Sequence, residues 1–323
     1  MEPLTPAAVK SWQILDHLAR QGGRWAAFYS GGKDSAALAT LLGRWGLRGV
    51  PPELHVLYVD TRIEPPPLQA QALAFLQSLK DRYGLNVHTV EPDLDERFWV
   101  NTLGRGYPPP NRKFRWCTDR LKLRPGLRFI KQQSINLTLV GARFGESTQR
   151  THRLNNSCNP QTGECGTGTL ANVLTTRNMP YIAPLLHWTT GDVWRYLQLA
   201  HQQDGLALGH LFSIYNGGSL RFGCWVCTLV KRDRSGEALM DQGHEVMAHL
   251  LAFRSWFVEE SAKVANRFLR KNGVKGRLSL IFRKRALEQL EALEEATQIA
   301  WLTPEERRRI RELWENPRYG PYV

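Results

Sequence analysis

The sequence predicts an α/β protein: a doubly wound parallel sheet followed by a helical C-terminal region. Three observations carry that expectation. Short apolar runs alternate with helical patterns through the first half of the chain. Those runs end in Ser30, Asp60 and Gly141-Ala142-Arg143, and the loops at the C-terminal ends of parallel strands are where such sheets place their sites. From about Gly236 onward only helical patterns and charge remain. The expected organisation is one domain over residues 1–235 and a helical region over 236–323.

The elements follow in order. Thr5-Pro6 reads as an N-cap with proline in the first helical position, and Val9, Trp12, Leu15 and Leu18 continue at helical spacing until Gly22-Gly23. Arg24 to Tyr29 is a strand running into Ser30-Gly31-Gly32-Lys33-Asp34-Ser35, with a helix from Ala36 to Trp45 behind it. Leu54 to Val59 is a second strand and Leu68 to Leu79 a second helix; Asn86 to Val90 and Leu137 to Val140 are further strands. Gly104 to Lys113 is a loop whose three consecutive prolines exclude a helix interior. Asn155 to Thr169 is a second loop, rich in Gly, Asn and Thr. Trp188-Thr-Thr-Gly-Asp192 opens a helix. Arg283 to Glu295 and Pro304 to Trp314 are the clearest late helices, the last capped by Thr303 with Glu306 in the box position.

Composition narrows the classes. At 42% hydrophobic and 23% charged residues, the 323-residue chain is globular rather than disordered. The 43 Lys and Arg against 30 Asp and Glu leave a charge of +13, which points to a polyanionic partner or substrate. No stretch approaches the roughly 20 apolar residues of a membrane span, and the opening Met1-Glu-Pro-Leu-Thr-Pro has no cationic segment leading into an apolar one. The expectation is a cytoplasmic protein without a membrane partner. Five cysteines then suggest metal or catalysis rather than a disulfide frame.

Ser30 to Ser35 has the parts of an anion cradle: glycines that let backbone amides close on phosphate oxygens, a helix N-terminus, and the full charge of Lys33. It is neither GxxxxGK[ST] nor GxGxxG. Cys224-Trp-Val-Cys227 suits a redox dithiol or half of a metal site, and its place in the second half of the chain disfavours a thioredoxin-like role. Cys117 stands at the head of an expected helix. Iron–sulfur clusters prefer four thiolates; Cys117, Cys224 and Cys227 supply three, and Cys165 or Cys158 could be the fourth. Zinc is the competing metal for four cysteines. Reversible oxidation between Cys158 and Cys165 is the other reading of that pair.

The hexapeptide resembles the PP-loop of the ATP pyrophosphatase superfamily. The succession SGGKDS, FRWCTDRLK, GARFGES-x-x-R, PLLHWTTGDVW and RFGCWVC is similar to the phosphoadenylyl-sulfate reductase group within it. Gly106 to Lys122 and the tail from Gly276 to Trp314 look like DndC-like proteins and their SspD relatives, which install phosphorothioate sulfur in the DNA backbone. The resemblance implies an adenine nucleotide alpha hydrolase-like fold. It also implies a cytosolic ATP pyrophosphatase and sulfurtransferase that adenylates a DNA phosphate, with cofactors ATP, Mg²⁺ and a [4Fe–4S] cluster. Partners implied are DNA, a cysteine desulfurase as sulfur donor and other proteins of the phosphorothioation and phage-defence system; a homodimer stays open. Carried over, Ser30, Gly31, Gly32, Lys33, Asp34 and Ser35 form the nucleotide loop, with Lys33, Asp34 and Asp60 catalytic and Asp60 near the nucleotide or its Mg²⁺. Gly141, Arg143, Glu146 and Arg150 form the second, phosphate-facing motif. Cys117, Cys224 and Cys227 match the cluster cysteines, with Cys165 replacing a relative's cysteine that Asn216-Gly-Gly-Ser219 lacks. Candidate backbone contacts are Arg105, Arg112, Lys113 and Arg115 around the proline loop, and Arg267, Arg270 and Lys271 in the tail.

Rival readings are a sulfonucleotide reductase, a PP-loop tRNA thiolation enzyme, and a nucleotide-sensing subunit without turnover. The reductase would need a late nucleophilic cysteine, and none lies between Thr228 and Val323.

Overall fold

The computed structural model describes residues 2–20, 22–49, 52–111, 114–144, 169–170, 181–215, 222–270, 272–316 and 318–319. The chain divides into two compact units. The first comprises Met1–Val59, Leu68–Val90 and Gly126–Asn216; the second comprises Asp60–Pro67, Glu91–Pro125 and Gly217–Val323. The expected domains follow chain order, whereas contacts interleave the chain, so that residues 60–67 and 91–125 belong with the C-terminal half.

The first unit is the doubly wound sheet. Its strands are β1 (Arg24–Tyr29), β2 (Glu53–Val59), β3 (Asn86–Val90), β4 (Leu137–Leu139), β5 (Thr169–Leu170) and β6 (Tyr181–Ile182), in the order β3-β2-β1-β4-β6-β5. All neighbours pair parallel except β5, which runs antiparallel to β6. Strand β1 lies centrally, with Arg24 to Tyr29 opposite Glu53 to Tyr58 and Trp25 to Ala27 opposite Leu137 to Leu139. Its alanines sit flat beneath the helices, and Ala26 packs with Leu57, Phe129, Ile130 and Ile135. Burial on both faces explains why β2 reads as a continuous apolar run. The two-residue strands β5 and β6 are too short to show a period and were not expected.

Around the sheet are α1 (Pro6–Ala19), α2 (Lys33–Gly46), α3 (Pro66–Tyr83) and α4 (Arg124–Gln132), followed by α5 (Thr190–Asp204) and α6 (Gly209–Tyr215). The caps are those expected. Thr5 accepts a hydrogen bond from the Ala8 amide, and Thr189 with Asp192 forms a complete capping box. The buried pair Arg44–Asp204 fixes α2 to α5, and the Tyr83 hydroxyl donates to the same carboxylate at 2.7 Å.

Two histidines on neighbouring strands meet in this unit. His55 is 3% exposed, and its Nδ1 lies 2.9 Å from Nε2 of His88, whose ring rests on Phe129. Burial lowers the pKa of both below the ordinary 6.5, against an opposing pull from Glu53. The unfolded chain therefore binds more protons as pH falls through the ordinary histidine range. The stability contribution is complete above 6.5 and is lost below it toward the depressed folded values. The melting temperature should fall between neutral pH and about pH 5, and His88→Gln should flatten that dependence in thermal melts. An equally steep profile in the variant would remove the pair as its cause.

The second unit contains α7 (Arg234–Asp241), α8 (Val246–Ala262), α9 (Leu280–Thr297) and α10 (Pro304–Glu315). Thr303 and Glu306 form the expected box at the start of α10. The expectation of helix alone beyond Gly236 is corrected by an antiparallel hairpin, β7 (Arg267–Leu269) with β8 (Lys275–Leu278). The signal was Asn272-Gly273 between two short runs, a hairpin dipeptide masked by the surrounding charges. Trp99, Trp225, Phe253, Phe257, Phe282 and Trp301 fill the core. Arg283, 1% exposed, donates Nη1 to the Gly104 carbonyl at 2.6 Å, and burial lowers its pKa to about 10. Among the described residues, no helix is long and apolar enough to cross a membrane.

Candidate functional site

The first unit carries the glycine loop between β1 and α2. Gly31 has φ +78, a left-handed conformation that a side chain would strain. Ser35 organises the turn: its Oγ accepts from the Ser30 amide at 3.1 Å and donates to the Gly32 carbonyl at 2.9 Å. Gly32 caps α2 without a side-chain bond, so its cap supplies no side-chain oxygen to the first-turn amides. Gly141, beyond β4, passes so close that a Cβ there would stand 2.8 Å from the Asp34 carbonyl oxygen and 3.0 Å from the Ser35 nitrogen. Only glycine permits that approach.

A chain of charges runs away from the loop. Lys33 Nζ lies 2.9 Å from Asp34 Oδ2, and Arg143 Nε lies 2.6 Å from Asp34 Oδ1. Arg143 is 3% exposed and also donates to the Trp188 carbonyl at 2.9 Å and to Thr190 Oγ1 at 3.4 Å. Its guanidinium is thus committed to protein oxygens. It holds Asp34, and through Asp34 the lysine. Tyr215 was missed from the sequence. Lys33 Nζ stands 5.7 Å from its ring centroid, and a Cβ on Gly32 would lie 3.5 Å from its hydroxyl. It closes the seven-residue helix Gly209–Tyr215, far from Lys33 in the chain, and no local motif marks it.

The structure therefore brings together Ser30 to Ser35, Gly141 and Arg143. Glu146 and Arg150 lie outside the described residues. Asp60 belongs to the second unit, where it is 7% exposed and its Oδ1 accepts from the Arg62 amide at 2.8 Å.

The second unit carries the thiols. Trp116 and Cys117 open the expected helical stretch, which continues through Thr118–Leu123. Cys224 and Cys227 sit in a turn closed by the Cys227 amide donating to the Cys224 carbonyl at 3.0 Å. That turn is fixed from three sides. The Trp225 amide donates to the Ile63 carbonyl, Arg254 forks onto the Cys227 carbonyl at 2.9 and 2.7 Å, and the Thr228 hydroxyl donates to the Pro110 carbonyl. Cys117, Cys224 and Cys227 are all free thiols. Lys122 is buried among them: the Cys224 thiolate chiefly, then Glu64, Cys117 and Cys227, raise its pKa. Burial pushes the Cys224 thiol up to about 12 and Cys117 upward too, with Lys122 pulling both down. Burial likewise raises Glu64, which accepts from the Thr61 amide and hydroxyl. Burial thus favours the protonated form of Cys117 and Cys224, and a metal binding there must displace those protons.

Soft thiols with one shared cation suit a thiolate-ligated group in kind. Among the described residues, however, no set of three or more His, Cys, Asp or Glu side chains forms a group that could hold a metal ion. Cys158 and Cys165 lie outside the described residues. The candidate DNA contacts divide. Arg105 is bound to Asp95 at 2.8 Å and Arg267 to the Gly276 carbonyl at 2.9 Å, so both are structural, while Arg115 and Arg270 are exposed. Arg112, Lys113 and Lys271 lie outside the described residues.

Residues 24–230 match the phosphoadenosine phosphosulfate reductase domain, a span that includes the glycine loop, Gly141, Arg143 and all three described thiols. The chain belongs to this family. The family is one of PP-loop enzymes, and its sheet and loop are those described above. A curated relative, uncharacterized protein MJ0066 of Methanocaldococcus jannaschii, is 26% identical over 205 residues, which are 62% of this chain and 35% of that protein. The match thus spans about a third of the relative's length. Among solved structures, phosphoadenylyl-sulfate reductase of Candida auris is 14% identical with a TM-score of 0.45, over 68% of this chain and 90% of that one. The U34-tRNA thiolase of Methanococcus maripaludis, solved with its [4Fe-4S] cluster, is 15% identical with a TM-score of 0.42, over 84% of each chain. At such scores neither likeness carries a functional argument.

Proposed function

We propose that this family member is an ATP pyrophosphatase and sulfurtransferase of the DndC-like type, which adenylates a DNA backbone phosphate and helps replace one of its oxygens by sulfur. The observation that carries the reading is the buried Lys122, which lies within electrostatic reach of Cys117, from the Gly106–Lys122 segment that resembles those proteins, and of Cys224 and Cys227.

In this reading the loop amides and Lys33 receive the β- and γ-phosphates. A non-bridging phosphodiester oxygen attacks the α-phosphorus; the new P–O bond forms as the bond to the β-phosphate oxygen breaks, and pyrophosphate leaves. Lys33, delivered from Asp34, offsets the charge that develops there. Asp60 is the carboxylate assigned to Mg²⁺, which neutralises phosphate charge. The outer sulfur of a desulfurase persulfide, released as sulfide when a thiol reductant supplies two electrons to its S–S bond, then bonds to the DNA phosphorus as the P–O bond to the adenylyl group breaks, and AMP departs with the activated oxygen. Cys117, Cys224 and Cys227 would hold a [4Fe–4S] cluster, with the fourth ligand from Cys165 or Cys158; when bound it supplies a sulfide-binding site. Lys122 offsets the thiolate charge and Glu64 balances Lys122. The +13 charge suits a phosphate backbone through counterion release.

The deciding experiment incubates the protein with ATP, a cysteine desulfurase and either DNA or tRNA. Nucleotide products are followed by chromatography and phosphorothioate linkages by mass spectrometry after nuclease digestion. AMP and pyrophosphate with sulfur in DNA support the reading. Sulfur in tRNA alone moves the protein to tRNA thiolation, sulfite from a sulfonucleotide makes it a reductase, and no ATP turnover leaves a sensing subunit.

Protein prepared without oxygen should contain iron and acid-labile sulfide and absorb in the broad thiolate-to-iron band. Cys117→Ser, Cys224→Ser and Cys227→Ser should each lose most of that absorbance. A colourless wild type carrying zinc would replace the cluster by a zinc site.

A further inference from the structure

The second unit has an exposed aromatic edge that neither the nucleotide loop nor the thiols use. Phe114 is 43% exposed at the end of the proline loop, where its amide donates to Asn111 Oδ1 at 3.0 Å. Its ring lies 6.2 Å from Tyr107. The Arg120 guanidinium covers Tyr107 at 5.3 Å and donates to its hydroxyl at 3.2 Å, and Arg115 is exposed next to Phe114.

An exposed phenylalanine alone would mean little. This one ends a continuous aromatic stack that leads inward. Tyr107 meets Trp116 edge-on at 5.4 Å, Trp116 stacks on Phe98 at 5.4 Å, Phe98 meets Trp99 at 4.9 Å, and Trp99 lies 5.9 Å from Trp225. Trp225 stands between Cys224 and Cys227, and Trp116 precedes Cys117. The Trp116 indole donates to the Pro108 carbonyl at 3.0 Å, and Thr228 ties the C-x-x-C segment to Pro110. The outer ring is therefore mounted on the same buried rings that carry all three thiols. A ring held this rigidly, next to cations, matches what an unpaired nucleobase requires: a π-face to stack on and positive charge for its phosphate.

We propose that Phe114 and Tyr107, flanked by Arg115 and Arg120, form a stacking platform for one unpaired base of DNA, which sets the neighbouring phosphate in register with the cysteines. The inference rests on DNA being the substrate.

The test measures affinity for fluorescently labelled single-stranded and duplex DNA by anisotropy, using the full chain and its Phe114→Ala, Phe114→Leu and Phe114→Trp variants. Phe114→Ala and Phe114→Leu should weaken single-strand binding about tenfold, within the range that one base–aromatic stack gives. Phe114→Trp should bind within about twofold of wild type, since it keeps the π-face. Binding of a fluorescent ATP analogue, read by anisotropy without DNA, should match wild type in all three. Wild-type affinity in Phe114→Ala overturns the platform, as does Phe114→Leu matching Phe114→Trp, which would make the contact merely apolar. Equal losses on duplex overturn the unpaired base. If Phe114→Ala loses binding while the wild type puts no sulfur into DNA, the platform stands and the sulfur-transfer reading falls. If Phe114→Ala binds and sulfurates DNA like wild type, the reverse holds.

Discussion

Lys33→Ala should lower pyrophosphate release from ATP by about 10²- to 10³-fold, the usual cost of removing one preorganised donor from a developing charge. The loop offers one full positive charge, and Arg143 cannot replace it because its guanidinium is spent on Asp34, Trp188 and Thr190. The fold should survive, since Asp34 keeps its bond to Arg143 when the lysine is gone. Pyrophosphate release checks the first expectation and the thermal midpoint the second. Turnover persisting at wild-type rate in a folded Lys33→Ala would put the nucleotide somewhere other than this loop.

Asp34→Ala should behave differently. Arg143 is 3% exposed and Asp34 is its only carboxylate partner among the described ion pairs. Removing that carboxylate leaves the buried guanidinium only the Trp188 carbonyl, the Thr190 hydroxyl and the more distant charge of Asp192, at a cost of up to about 3–5 kcal/mol. The same change frees Lys33 from its resting position. Denaturant unfolding should show the loss. The double variant Asp34→Ala/Arg143→Met should recover much of the stability but not the turnover, because an apolar pair of similar volume removes the stranded charge without restoring the lysine's support. A single Asp34→Ala as stable as wild type would mean that the Lys33–Asp34–Arg143 chain does not organise the loop.

The two variants separate what was legible in the chain from what was not. Ser30 to Ser35 could be read directly, because a phosphate cradle is built from consecutive backbone amides and its glycines are adjacent in sequence. The first four strands could also be read as elements, since each is a short run bounded by turns, although β3 (Asn86–Val90) is only partly buried. Arg143 was found by pattern, but its bonds to Asp34, Trp188 and Thr190 were not: a motif carries residue type and spacing, while the direction of a guanidinium depends on the oxygens that surround it. Tyr215 was not found at all, because its relation to Lys33 exists only after α6 is folded.

The sequence by itself determined the class of fold, the nucleotide loop and the thiol inventory, because periodicity, glycine placement and residue chemistry act over short stretches. Only the tertiary structure decided that Cys117 shares a buried lysine with Cys224 and Cys227, that Arg143 faces inward, and that the rings from Phe114 to Trp225 form one stack. Those outcomes depend on segments more than a hundred residues apart meeting in a close-packed interior, and no local pattern encodes which side chains will be neighbours there.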